Sequence, residues 1–185
     1  MNENEIGFIT KRLEIRNIKP SDALSMYKYR SDPQIYKFQY WKPQSVQDVE
    51  DFICDKIAKT FNIPDTWYQL SIFIKGFPEL IGDIGIHFIE ADHLQVEIGY
   101  TLSIEHQGKG YASEAIEGVI DYLFHTYHKH RIFASVDPDN IKSIAVLERM
   151  GMRKEAHFKK SIWHNGKWVD DIIYSILEEE WRKEK

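Results

Sequence analysis

Residues 93–127 read HLQVEIGYTLSIEHQGKGYASEAIEGVIDYLFHTY, and a change of period inside this run sets the expected fold. From Leu94 to Leu102, the residues Leu94, Val96, Ile98, Tyr100 and Leu102 alternate with Gln95, Glu97, Gly99 and Thr101, the period of a strand. After Gly110 the apolar residues Ala112, Ala115, Ile116, Val119, Ile120, Leu123, Phe124 and Tyr127 recur at helical spacing along one face. The switch falls on Gln107-Gly108-Lys109-Gly110-Tyr111-Ala112. A helix start leaves about four backbone amides unpaired and carries partial positive charge, so it suits a phosphate, and glycine lets a ligand approach the backbone. Glycine in such a turn also serves conformation alone, so both readings stand at this point.

Two phosphate-binding loops are excluded by single residues. Gly110 is followed by Tyr111, without the lysine and hydroxyl pair of a nucleotide-binding P-loop, and Ser113 stands where a dinucleotide fingerprint needs glycine or alanine. Upstream, Lys11 to Asn17 reads as a first, edge-forming strand. Pro20-Ser21-Asp22 opens a helix that stops by Asp32-Pro33, and Ser45 caps a second helix through Ala58. Trp67 to Ile74 and Leu80 to Ile89 form a hairpin, and Ala91-Asp92-His93 turns into the Leu94 strand. Downstream, Arg131 to Val136 is a short strand, parallel to the Leu94 strand because a crossover helix joins them. Ser143 to Met150 is a helix stopped by Gly151, Phe158 to Leu177 is a hairpin turning at Asn165-Gly166, and Glu178 to Glu184 is an exposed helix. The class is α/β, or α+β by stricter naming: a mixed, mostly antiparallel sheet of about seven strands with helices on both faces.

Length and composition bound the rest. At 185 residues, 43% hydrophobic and 29% charged, the chain is expected to be one soluble globular domain over 1–185. The start, MNENEIGFITKR, carries no signal layout and no run approaches the ~20 apolar residues of a membrane span, so a cytoplasmic protein is expected. Acidic residues outnumber basic ones, 29 to 24, without a basic block, so no nucleic acid partner is expected. Cys54, the one cysteine, reads as a buried small hydrophobe. His125, His128 and His130 cluster at a helix end, but without a fourth ligand they read as structural, and no metal is expected.

Gln107, Gly110 and Ala112 spell Gln-x-x-Gly-x-Ala, which resembles the acyl-CoA signature of the GNAT N-acetyltransferases. The likeness extends through Arg12-Leu13, Arg16, Asp22, Gly99-Tyr100, Glu114-Ala115, Asn140 with Ser143, Met150-Gly151, and Asn165-Gly166 with Trp168 and Asp170. These resemble the ribosomal-protein alanine acetyltransferase (RimJ/RimL-like) branch. The resemblance implies a splayed pair of parallel central strands with the acyl chain of CoA in the gap, and direct acetyl transfer from acetyl-CoA to a primary amine. The acceptor would be a protein N-terminus, or a polyamine, amino sugar or aminoglycoside, and the enzyme a monomer or homodimer.

By that resemblance Thr101 and Leu102 face the pantetheine arm, and Gln107, Gly108, Lys109, Gly110, Tyr111 and Ala112 hold the pyrophosphate. Asn140 contacts the arm and Ser143 protonates the leaving sulfur, although Asn140 also reads as a helix cap with Ser143 in the first turn. Glu97, mid-strand and opposite in face to Val96 and Ile98, is the candidate base, since burial between two layers raises a carboxyl pKa. The competing reading pairs Glu97 with a nearby Arg, Lys or backbone group that holds the strand. Where many GNAT enzymes have a tyrosine general acid this chain has Leu147, which leaves Ser143, a hydroxyl such as Tyr174, a water, or unaided thiolate release. A glutamate of some ribosomal-protein relatives is Ile162 here. Asp170 and Asp171 point to opposite strand faces, and Asp170 is expected to anchor backbone or help bind the acceptor. A non-catalytic acyl-CoA-binding module is the alternative from a different class.

Overall fold

Strands buried on both faces must be covered twice, and two such strands, residues 66–74 and 80–89, set the layers of this molecule. The structure, a computed structural model, describes residues 6–89 and 94–181. In chain order the elements are β1 (Gly7–Ile9), β2 (Leu13–Asn17), α1 (Ala23–Arg30), α2 (Pro33–Tyr36), α3 (Val46–Asp51), β3 (Thr66–Ile74) and β4 (Leu80–Ile89). There follow β5 (Gln95–Leu102), α4 (Tyr111–His125), β6 (Arg131–Val136), α5 (Ile141–Arg149), β7 (Arg153–His164), β8 (Lys167–Leu177) and α6 (Glu178–Trp181). The sheet runs β1-β2-β3-β4-β5-β6-β8-β7. All pairs are antiparallel except β5 with β6.

Alternation divides the sheet into two unlike faces. Leu70 and Ile72 of β3, Ile84 and Ile86 of β4, and Val96 and Ile98 of β5 meet Ala115, Ile116, Val119, Ile120, Leu123 and Phe124 of α4 in the larger core. Each large side chain so buried contributes about 1.5–3 kcal/mol relative to exposure. The opposite face is covered by α1 to α3, where Met26, Tyr29, Val49 and Ile53 pack on Phe73 and Leu80. This second face also carries the polar strand residues Gln69, Asp83, His87 and Glu97.

Asp83, fully buried in β4, ties the second layer to the sheet. It accepts hydrogen bonds from the Tyr29 hydroxyl, the Gln69 amide and the Arg30 guanidinium, whose Nε lies 3.2 Å from Oδ1. Burial first, then the charge of Asp83, pushes the Tyr29 pKa well up, so Tyr29 stays a donor. Nearby, Asp22 is held by Arg16 through two bonds of 2.8 Å and by the Lys19 amide at 2.9 Å, which fixes the entry to α1.

Several expectations are corrected. The sheet has eight strands, because Gly7–Ile9 pairs outside Leu13–Asn17, so the predicted edge strand is second from the edge. Three residues are too few to show a period. The helix expected from Ser45 to Ala58 leaves α geometry after Asp51 for a π-turn over Phe52–Lys56. That widening carries Cys54 to the surface, so it is exposed and not a core residue. The last helix is not wholly exposed: Trp181 is buried and its indole donates to Asp121 at 2.6 Å. The predicted turn at Ala91-Asp92-His93 lies outside the described residues.

Replacing Asp83 strands a buried guanidinium. Asp83→Ala is expected to cost about 3–5 kcal/mol, on the order of 10 °C in melting temperature by circular dichroism. Cys54→Ser, at an exposed site, is expected to stay within about 0.5 kcal/mol of wild type.

Candidate active site

Strands β5 and β6 pair only over Gln95–Glu97 with Arg131–Phe133. β5 continues to Leu102 and β6 to Val136, so the strands part beyond Glu97 and open a gap through the sheet. A cleft of about 510 Å³ occupies it. Its walls include Ile98, Gly99, Tyr100 and Thr101 of β5, Ala134, Ser135 and Val136 of β6, and Asn140, Ser143 and Leu147 from the start and middle of α5. Segment 38–41, with Phe38, Tyr40 and Trp41, closes the side facing α3.

Glu97 sits where the strands part. Burial is the leading cause of its raised pKa, with Asp171 adding to the rise and His87 opposing it. His87 is its partner across the β4–β5 ladder, with Nδ1 3.5 Å from Oε2, and Trp67 stacks on the His87 ring at 4.7 Å and 9°. Among the described residues the ion-pair partner of Glu97 is His87, not an Arg or Lys.

At the far end of β5 the chain turns through residues 103–110 into α4. Gly108 and Gly110 have φ of 72° and 78°, and Gly110 is the residue before the first turn of α4. A side chain at Gly110 would suffer that positive φ and meet the Arg12 guanidinium at 3.2 Å. Arg12 donates to the Lys109 carbonyl at 2.9 Å, pairs with Glu114 at 2.6 Å and lies over the Tyr111 ring at 4.6 Å, so the turn just before β2 braces the loop from outside. Glu114 has a lowered pKa because Thr10 and Arg12 outweigh its partial burial.

The amides of residues 108–113 have no carbonyl acceptor outside α4 among the described residues, and the first turn of a helix supplies none. Gln107 differs. Its amide group donates to the Leu102 carbonyl at 3.0 Å and accepts from Lys142 at 2.9 Å, while its backbone N–H goes to Ile104. It therefore braces the loop between β5 and α5. Lys142 and Arg149 of α5, the latter 2.6 Å from the Ser113 hydroxyl, add positive charge that the sequence reading missed. Free amides, positive charge and room at Gly108 fit a pyrophosphate.

The remaining predicted residues divide. Thr101 lines the cleft, and Leu102 is buried at its edge. Asn140 caps α5 by accepting from the Ser143 amide at 3.3 Å, and both residues line the cleft. Tyr174 is engaged with Glu148 at 3.1 Å and is not among the cleft's lining residues, so it is replaced as a donor candidate by Tyr100. The Tyr100 hydroxyl lies 3.0 Å from the Ser143 carbonyl, and burial raises its pKa strongly, keeping it protonated. Leu147 is buried against the same wall.

Asp170 accepts from the Lys160 amide at 2.9 Å, from Lys159 at 3.0 Å and from His157 at 2.7 Å, so it anchors a bulge in β7. Its neighbour Asp171 points inward instead and accepts from the Ser135 hydroxyl at 2.7 Å. His125, His128 and His130 are exposed.

Residues 12–153 match the family profile described as the acetyltransferase (GNAT) domain. The uncharacterized N-acetyltransferase YnaD of Bacillus subtilis (strain 168) is 37% identical over 175 residues, 93% of this chain and 97% of its own. The crystal structure of a GNAT-family acetyltransferase from Bacillus anthracis is similar with a TM-score of 0.85 at 31% identity, covering 95% of this chain and 100% of that one. The ribosomal protein uS5-alanine N-acetyltransferase of Escherichia coli (strain K12) is 25% identical over 187 residues, 97% of this chain and 95% of its own.

Gly110→Glu places a carboxylate and a strained backbone at the mouth of the cradle. At CoA about a hundredfold above its Kd the wild type gains about 2.7 kcal/mol, on the order of 5–10 °C in melting temperature for a chain this size. The variant is expected to lose that rise; an undiminished shift would remove the phosphate from this loop.

Proposed function

The chain belongs to the GNAT family of acetyl-CoA-dependent N-acetyltransferases, and from that premise we propose that it acetylates a primary amine by direct transfer, with Glu97 as the base. The observation that carries this reading is one cleft holding a carboxylate of raised pKa at the strand junction together with the hydroxyl residues Tyr100, farther along the same strand, and Ser143 of α5. Acetyl-CoA, when bound, supplies the acetyl group and the sulfur that leaves. The amides of residues 108–113 hold its pyrophosphate, helped by Lys142 and Arg149, and the unpaired edge of β5 from Ile98 to Leu102 directs the arm toward Glu97.

Glu97 takes the proton that an ammonium must lose before its nitrogen can attack. His87, held flat by Trp67, orients the carboxylate and carries the proton toward the surface. When the nitrogen–carbon bond forms and the carbon–sulfur bond breaks, the sulfur needs a proton. Ser143 or Tyr100 supplies it and regains one from the nitrogen, which sheds its second proton as the amide forms; the Tyr100 hydroxyl also donates to the Ser143 backbone carbonyl. Leu147 therefore removes one donor without emptying the site of donors, which supports catalysis over a binding module that only holds CoA. The acceptor is a protein N-terminus or a small amine that enters past Tyr40 and Trp41.

Thiol release from acetyl-CoA in the presence of an amine tests this. Glu97→Gln is expected to lower kcat/KM about 100-fold or more. Glu97 must be ionised to accept a proton, so wild-type activity falls as pH drops through a pKa above the ordinary 4.5, and the variant lacks that step. A raised carboxyl pKa favours the folded state below the unfolded value and loses that contribution as pH rises through the folded one. Ionised Glu97 is thus a burden near neutrality, and the variant is expected to melt no lower than wild type at pH 7. A variant that melts well below wild type with unchanged turnover would make Glu97 structural.

A further inference from the structure

The acceptor end of the cleft is negative beyond what proton transfer needs. Besides Glu97, it holds Asp137 at the end of β6 and, behind Ser135, Asp171 of β8. Asp171 is only 8% exposed and accepts one bond, from the Ser135 hydroxyl. Asp137 accepts from the Asp139 amide at 2.8 Å. Among the described residues no Lys, Arg or His forms an ion pair with either.

Of the two cations in the walls, Arg30 is committed to buried Asp83, and Lys56 is an exposed residue of the π-turn. A buried carboxylate served by one hydroxyl is costly, and a cation arriving with the ligand would offset that cost. The hydroxyl of Tyr40 lies within the field of all three carboxylates; partial burial raises its pKa first, then Asp171, Asp137 and Glu97. Tyr40 and Trp41 line the same part of the cleft.

The reacting nitrogen cannot supply the missing charge, because it must be neutral when it attacks. Resting on the acetyltransfer reading above, we propose that the acceptor is a small linear amine with a second positive charge, which Asp171 and Asp137 hold while the reacting nitrogen lies at Glu97. The ladder gives the span. Glu97 pairs with Phe133, Ser135 is the next β6 residue on that face, and Asp171 reaches Ser135 from the neighbouring strand. At ordinary strand spacings the two carboxylates stand on the order of 10 Å apart, which suits a flexible diamine better than the backbone of an uncharged peptide.

The experiment compares thiol release with hexamethylenediamine, hexylamine and a neutral peptide bearing a free N-terminal alanine. The diamine is expected to exceed hexylamine in kcat/KM by about 30-fold or more, chiefly through KM, with the advantage shrinking as salt is added. Asp171→Asn is expected to bring that ratio to within about threefold of one while CoA still raises the variant's melting temperature. Should that variant not fold, Asp137→Asn and the wild-type ratio decide. Equal rates for diamine and monoamine, or faster turnover of the peptide, would overturn the inference and leave acetyl transfer standing. No thiol release with any of the three would remove the acetyltransfer reading and this inference together.

Discussion

Everything in the site depends on how briefly β5 and β6 stay together. Their pairing ends at Glu97 and Phe133, and each strand then continues with one edge lacking a neighbour. Unpaired backbone in a protein interior must find other partners. Here the Gln107 amide takes the Leu102 carbonyl at the end of β5, and the Tyr100 side chain ties β5 to α5 through the Ser143 carbonyl. Those bonds fix the loop and α5 on opposite sides of the opening, and the amides left over between them are the ones a ligand can use.

The two faces of the sheet serve different ends. One is apolar throughout and takes α4, whose inner face packs on it. The other carries polar residues under α1 to α3, and Asp83 makes that layer rigid by gathering Tyr29, Arg30 and Gln69 onto one carboxylate. Arg30 reaches Gln39 at 3.3 Å from the same position, so the Asp83 cluster also holds the segment that walls the cleft. At the opposite rim His164, at the tip of the β7–β8 hairpin, lies 3.0 Å from the Lys37 carbonyl and packs edge-on against Tyr40. That wall of the cleft is thus held from the sheet below and from the hairpin above.

Features written in periods and in turn residues were legible in the sequence. The β5 strand, the α4 helix, the glycine loop, the Asn140 cap and the Asn165-Gly166 turn all declare themselves through alternation or through residues that only certain dihedrals admit. Glu97 was legible because alternation places it opposite Val96. What stayed hidden rests on contacts between distant segments. Asp83 sits in an apolar run and its partners come from α1 and β3, so nothing local shows that its charge is met. Alternation says that Asp170 and Asp171 face apart, but only the sheet shows that Asp171 is the inward one. The exposure of Cys54 follows from a π-turn, which has no signature in residue spacing.

In the proposed role of base, Glu97 sets stability against function. A base useful near neutrality needs a pKa above that of a free carboxylate, and the means available here is to withhold water and add a like charge, as burial and Asp171 do. Both disfavour the ionised form that the reaction requires. His87 moderates the conflict: as a neighbour that can carry positive charge it draws the Glu97 pKa back down, which keeps an ionised fraction without a permanent Arg or Lys to quench the base. An arginine in that position would hold the strand more firmly and leave the carboxylate too weak a base to take a proton from an ammonium.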